Sequence, residues 1–126
     1  MSVLQGFYEI EQFVEQEAGK HVASVRLNPR HAIFQGHFPG NPVTPGVCMM
    51  HIIKELSEHI VNRPLFLSKS SNVKFMALIN PEHNPLLRLE LDLSEGDDGT
   101  LKVKNVTTFG DTVALKLTNV YKNKEV

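Results

Sequence analysis

The chain has one cysteine, no tryptophan, two tyrosines and almost no net charge, and each scarcity narrows what it can be. A lone Cys48 rules out an internal disulfide and suits a reducing compartment, so the cytoplasm is the expected home. A formal charge of −1, from 13 Lys and Arg against 14 Asp and Glu, argues against a nucleic-acid binder, which would carry a basic excess. No apolar run approaches the roughly 18 residues of a membrane-spanning helix. The opening MSVLQGFYEIEQF has no basic start followed by an apolar stretch, so it does not read as a secretion signal. Repeats, low-complexity tracts and linkers are absent. With 126 residues, 41% of them hydrophobic, the material suffices for one core, and residues 1–126 are expected to form one domain.

Glycine and proline, thin elsewhere, gather between Gly36 and Gly46, which hold three of the eight glycines and three of the seven prolines. That density predicts a specific irregular loop. Before it, Phe7 to Val14 has a broken alternation that suits a first strand. His21 to Leu27 alternates better, with Ala23, Val25 and Leu27 on one side. After it, VCMMHIIKELSEHI is apolar almost all round in its first half. Its second half is polar, with Leu56 and Ile60 at helical spacing. This predicts a helix whose N-terminal half is buried on every side, with Pro45 in the first turn, where a missing N–H costs nothing.

Strands then take over: Leu65 to Phe75, Leu86 to Leu93 with its leucines on alternate positions, Leu101 to Phe109, and Thr112 to Tyr121. EGDDG (Glu95 to Gly99) and Gly110-Asp111 read as hairpin turns. A sheet that buries one face needs something to lie against, and the central helix is the one element apolar enough. The pattern predicts an α+β domain, a curved antiparallel sheet wrapped around one helix, which is the hotdog arrangement. Phe34, Phe38, Phe66, Phe75 and Phe109 are expected in its core.

The stretch IFQGHFPGNPVTPGVCMM, Ile33 to Met50, resembles the signature of 3-hydroxyacyl-[acyl-carrier-protein] dehydratases of the FabZ/FabA type, GHFPG-x-PV-x-PGV followed by an apolar helix. Gly36, His37, Phe38, Pro39, Gly40, Pro42, Val43, Pro45, Gly46 and Val47 match without a gap. A second, weaker match is NVKFMALINPEHNPLLRLEL, Asn72 to Leu91. The short segment before the first strand is more similar to the related dehydratases of polyketide-type and aryl-polyene pathways. The resemblance implies a sheet of about six strands around the helix. It also implies a homodimer joined edge to edge, each site taking its histidine from one subunit and its helix residue from the other. Trimers of such dimers, or pairing with another hotdog protein, are further possibilities of the family. It implies no cofactor.

Dehydration of a 3-hydroxyacyl thioester needs a base for the C2 proton, an acid for the leaving hydroxyl, and donors for the thioester oxygen. A histidine, with an unperturbed pKa of about 6.5, suits the base role. By the resemblance that residue is His37. Gly46 and Val47, at a helix start whose first N–H groups are unpaired, would polarise the thioester carbonyl. Phe34, Gly36, Phe38, Pro39, Gly40 and Met50 would form the loop or acyl tunnel. A structural loop histidine and a merely tight helix entry are the plainer readings of His37 and Gly46.

The chain departs from its family on the helix. Where the family carries Glu or Asp, this chain has His51, and one turn on, where Gln is usual, it has Glu55. The two are i and i+4 and share a face. They could act together, Glu55 could act alone, or the site could have kept only binding. A His2Glu zinc set of His37, His51 and Glu55 is a fourth reading. His31 is read as a mouth or packing histidine, and Cys48 as a small apolar filler. The leading expectation is a dehydratase of carrier-protein-linked acyl chains in fatty-acid or polyene-type biosynthesis. The alternatives are a thioesterase on the same fold and a non-catalytic partner subunit. Carrier proteins are acidic, so Arg30, Lys69 and Lys74, which flank the motif segments, are candidate docking residues.

Overall fold

The computed structural model describes residues 6–34, 43–96 and 98–123. They form β1 (Tyr8–Glu17), β2 (Lys20–Leu27), a short 3-10 turn (Ala32–Phe34), α1 (Gly46–Val61), β3 (Leu65–Phe75), β4 (Leu86–Glu95), β5 (Leu101–Phe109) and β6 (Thr112–Asn123). The strands make one six-stranded antiparallel sheet in the order β1-β2-β4-β5-β6-β3. The sheet and its single helix are the hotdog fold.

The alternation of the sequence becomes the two faces of this sheet. Ala23, Val25 and Leu27 of β2, Leu87, Leu89 and Leu91 of β4, Leu101 and Val103 of β5, and Leu115 and Leu117 of β6 are all buried. They lie in one cluster with Cys48, Met49, Ile52, Ile53 and Leu56 of α1. Those helix positions recur at three- and four-residue spacing, so they form one stripe. Each fully buried Leu or Ile contributes about 1.5–3 kcal/mol. Asn62, at φ 56°, ends the helix in the left-handed conformation that asparagine tolerates. The β1–β2 hairpin needs Gly19: its φ is +82°, and a Cβ there would lie 2.7 Å from the Leu93 carbonyl oxygen.

Two expectations are corrected. The first half of α1 is not buried on every side. Val47 is 75% exposed and Met50 and His51 are half-buried, because these positions share a helix face that the sheet covers only in part. Phe66 and Phe75 are not core residues. They are 60% and 58% exposed on β3, which among the described residues has no neighbour on its outer edge. The opposite edge, β1, is protected by two bulges and by Glu9, Glu11, Glu15 and Glu17.

Tyr121, the aromatic residue of β6, is 1% exposed and accepts a hydrogen bond from Asn119 Nδ2 at 2.9 Å. Burial pushes its hydroxyl up to about 12. An unfolded tyrosine ionises near pH 10, so between roughly 10 and 12 the unfolded state loses its proton first and folding stability falls as pH rises. The chain has two tyrosines and no tryptophan, so absorbance at 295 nm reports on Tyr8 and Tyr121 alone. We expect tyrosinate to appear in the native protein only well above pH 10, and the urea midpoint to be lower at pH 11 than at pH 8.

Candidate active site

The glycine- and proline-rich motif is anchored at both ends. On entry, Phe34 is 5% exposed and stacks on Phe7, with ring centroids 5.4 Å apart. Phe7 also meets His31 edge-on at 5.4 Å, and His31 Nδ1 accepts the Ile33 N–H at 3.1 Å. His31 is therefore a packing and turn residue. On exit, the Thr44 N–H donates to the Ile79 carbonyl at 2.8 Å, tying the chain to the segment after β3. Between these anchors Gly36, His37, Phe38, Pro39 and Gly40 lie outside the described residues.

The helix start faces a cleft of about 700 Å³. Pro45, Gly46, Val47 and Met49 form one wall, and Phe75 and Leu78 stand on the other. The approach is close at Gly46, where an added Cβ would lie 2.8 Å from Phe75 Cζ and would push the ring aside. Cys48 and Met49 both donate their N–H to the Pro45 carbonyl, at 3.0 and 3.4 Å, and Pro45 offers no side-chain cap. Among the described residues nothing accepts from the Gly46 and Val47 N–H groups. They carry the partial positive charge of the helix terminus. Two tunnel candidates fall elsewhere: Phe34 is packed on Phe7, and Met50 rests against the core, while Met49 reaches the cleft.

His51 and Glu55 are brought together. His51 Nε2 lies 3.4 Å from Glu55 Oε1, and the two side chains are 32% and 37% exposed. A third residue joins them. Tyr8 donates its hydroxyl proton to the same Oε1 at 2.9 Å. Tyr8 opens β1 opposite Leu27, on the face that looks at the helix. Further along β1, Phe13 stacks on His59 at 5.4 Å, so His51, Glu55 and His59, one helix stripe, lie along this strand. Burial, then the hydrogen bond and the charge of Glu55, raise the Tyr8 hydroxyl far above its ordinary range, so it remains a donor.

Cys48 is buried and its thiol is pushed up by that burial, which fits a core filler rather than a nucleophile. No three metal-ligating side chains converge among the described residues, and the His37, His51, Glu55 set lies partly outside them. Sequence reasoning missed Tyr8, since nothing local links residue 8 to residue 55. It also missed the cleft wall at Phe75 and Leu78, although the second motif match runs through both.

Comparison with known proteins places this geometry among relatives. The family model described as ApeI-like, ApeI dehydratase, matches residues 13–120. A 3-hydroxyacyl-[acyl-carrier-protein] dehydratase FabZ of Caulobacter sp. (strain K31) is 31% identical over 90 residues, 64% of this chain and 54% of that protein. The chain spans about half the length of the Caulobacter proteins of that name. A chain of the dehydratase heterocomplex ApeI:P from Xenorhabdus doucetiae superposes with a TM-score of 0.74 at 20% identity, covering 91% of this chain and 97% of that one. A hypothetical thioesterase with coenzyme A from Streptococcus pneumoniae TIGR4 does so at 0.67 and 15%, covering 96% and 90%. At these identities the structural likeness establishes the fold alone.

Proposed function

Because the chain belongs to the ApeI-like dehydratase family, we propose that it removes water from 3-hydroxyacyl thioesters to give trans-2-enoyl thioesters. The observation that carries this reading is the helix start beside an apolar cleft, where among the described residues nothing caps the helix or accepts from the Gly46 and Val47 N–H groups. Such donors stabilise a thioester oxygen as charge develops on it, while the cleft accepts the acyl chain. His37 takes the C2 proton, and the His51–Glu55 pair supplies the proton with which the C3 hydroxyl leaves as water. The substrate is an acyl chain on a carrier protein, and the product belongs to fatty-acid or polyene-type synthesis. Mass measurement after incubation with a 3-hydroxyacyl carrier protein tests this. Loss of one water supports the dehydratase. Loss of the acyl group supports a thioesterase instead, and no change supports a binding-only subunit, the reading that His51 in place of an acid keeps open.

The active form in this reading is a homodimer joined through β3. Among the described residues that edge is unpaired, and Val73, Phe75, Met76 and Leu78 beside it are all exposed. Exposed apolar residues along an open strand edge mark a surface that a partner covers.

Docking of an acidic carrier protein has support in how the lysines are placed. The strand register puts Lys69 and Lys74 of β3, Lys102 and Lys104 of β5, and Lys116 and Lys122 of β6 on the outer face of the sheet. None of these three strands contains a carboxylate. Arg30 stands apart from this group, beyond β2 and separated from β3 by β4, β5 and β6. Reversing Lys74 and Lys116 to Glu should lower kcat/KM for carrier-bound substrate by about tenfold at low salt, the lower end of electrostatic steering effects. Turnover of a small soluble thioester should be unchanged. Equal loss on both substrates would remove the lysine face from the account.

A further inference from the structure

We propose that the Thr44 hydroxyl reads the C3 oxygen of the substrate, so that the cleft selects 3-hydroxyacyl chains over unsubstituted ones. This rests on the dehydratase reading and deepens it. Among the described residues, Thr44 is the one polar side chain in a cleft wall otherwise made of glycine, proline, alanine, branched aliphatic residues, methionine and phenylalanine. Apolar pockets take their specificity from such isolated polar groups. Thr44 fills the variable position of PV-x-PGV, so the hydroxyl belongs to this chain and is not dictated by the motif.

That hydroxyl is orphaned. Thr44 is 7% exposed, and its Oγ1 is closed to solvent with no hydrogen-bond partner among the described residues. Its backbone is held in place, since the Thr44 N–H donates to the Ile79 carbonyl at 2.8 Å. An unpaired buried hydroxyl is unfavourable, and valine would fill the same space without that cost. The fold nevertheless keeps one beside the helix start. A turn about χ1 exchanges the methyl and hydroxyl of a threonine, groups of similar size. The O–H can therefore meet a ligand in the cleft with no movement of the backbone.

The substrate carries two oxygens near its reacting carbons. In the dehydratase reading the thioester oxygen goes to the Gly46 and Val47 N–H groups, which leaves the C3 oxygen. Thr44 stands two residues before Gly46, and C3 stands two bonds beyond the thioester carbon. Neighbouring protein groups thus meet neighbouring substrate oxygens, with the Thr44 O–H donating to the oxygen on C3. A chain without that oxygen fills the cleft and leaves Thr44 unpaired, which is how a polar group rejects an analogue that lacks its partner.

The test uses the full chain and two stable ligands, the amide analogues of 3-hydroxyoctanoyl-pantetheine and octanoyl-pantetheine. By calorimetry the wild type should bind the hydroxylated ligand about five- to tenfold more tightly, the worth of one neutral hydrogen bond. Thr44→Val, which keeps the shape and removes the hydroxyl, should bring that ratio to about one. Thr44→Ser, which keeps the hydroxyl, should preserve it. The second readout is the urea midpoint, which Thr44→Val should leave unchanged or raise, because it removes an unpaired polar group. A ratio equal in the wild type and Thr44→Val would overturn the proposal, as would a wild type that binds both ligands alike or neither. A lower urea midpoint for Thr44→Val would overturn it too, since the hydroxyl would then have a partner inside the fold. If the wild type discriminates between the two ligands but releases no water from the thioester, the dehydratase reading fails and the role of Thr44 in recognition stands.

Discussion

Replacing His37 by alanine should lower kcat by about 10²–10⁴-fold, the usual worth of a general acid–base group. His51→Ala and Glu55→Gln should each fall in the same range, and the double substitution should cost scarcely more than either alone. The reason is geometric. The two side chains stand 3.4 Å apart on one helix face and are expected to act as one unit, so removing one should disable both. The reverse experiment is sharper. His51→Glu restores the residue that the FabZ type carries there, and it should retain or raise activity. If Glu55→Gln is silent while His51→Ala is not, His51 works alone. If both are silent and His37→Ala is inactive, the proton reaches the leaving oxygen from elsewhere. A wild-type protein without turnover that gains it through His51→Glu would make this a binding subunit.

A charge placed on the β3 edge should separate the dimer. Val73 and Leu78 are 41% and 73% exposed in the single chain. Val73→Asp with Leu78→Asp would bury carboxylates without partners once two copies meet. An uncompensated buried charge costs about 3–5 kcal/mol, so dimer affinity should drop by at least about 10²–10³-fold. Light scattering at micromolar concentration should show a dimer for the wild type and a monomer for the variant. Activity should fall with it and recover as protein concentration rises. That recovery separates dissociation from damage to the cleft, which Leu78 also lines. A wild-type monomer would defeat the edge-to-edge proposal outright.

Much of the fold is legible along the chain. The limits expected for β3 and β5, Leu65 to Phe75 and Leu101 to Phe109, are those observed. The other strands differ by one to three residues at their ends, where polar residues such as Glu17, Glu95 and Asn123 continue a ladder that side-chain alternation no longer marks. Two-residue periodicity reports burial on one sheet face, and helical spacing at Cys48, Ile52 and Leu56 reports the stripe that meets it. The errors arose where burial depends on a distant neighbour. Phe66 and Phe75 are hydrophobic enough for a core, yet β3 lands at the edge beside β6, and strand order is not written in local pattern.

The same division runs through the site. Sequence alone determined the family, through the gapless run from Gly36 to Val47, and it placed His51 and Glu55 on one helix face, because a helix brings i and i+4 together wherever it sits. Only the tertiary structure decided that Tyr8 reaches Glu55, that β1 lies along the stripe of His51, Glu55 and His59, and that Phe75 lies against Gly46 to wall the cleft. Each of these joins residues far apart in the chain. They meet because the sheet closes around the helix, and that closure is set by the packing of the whole core rather than by any single segment.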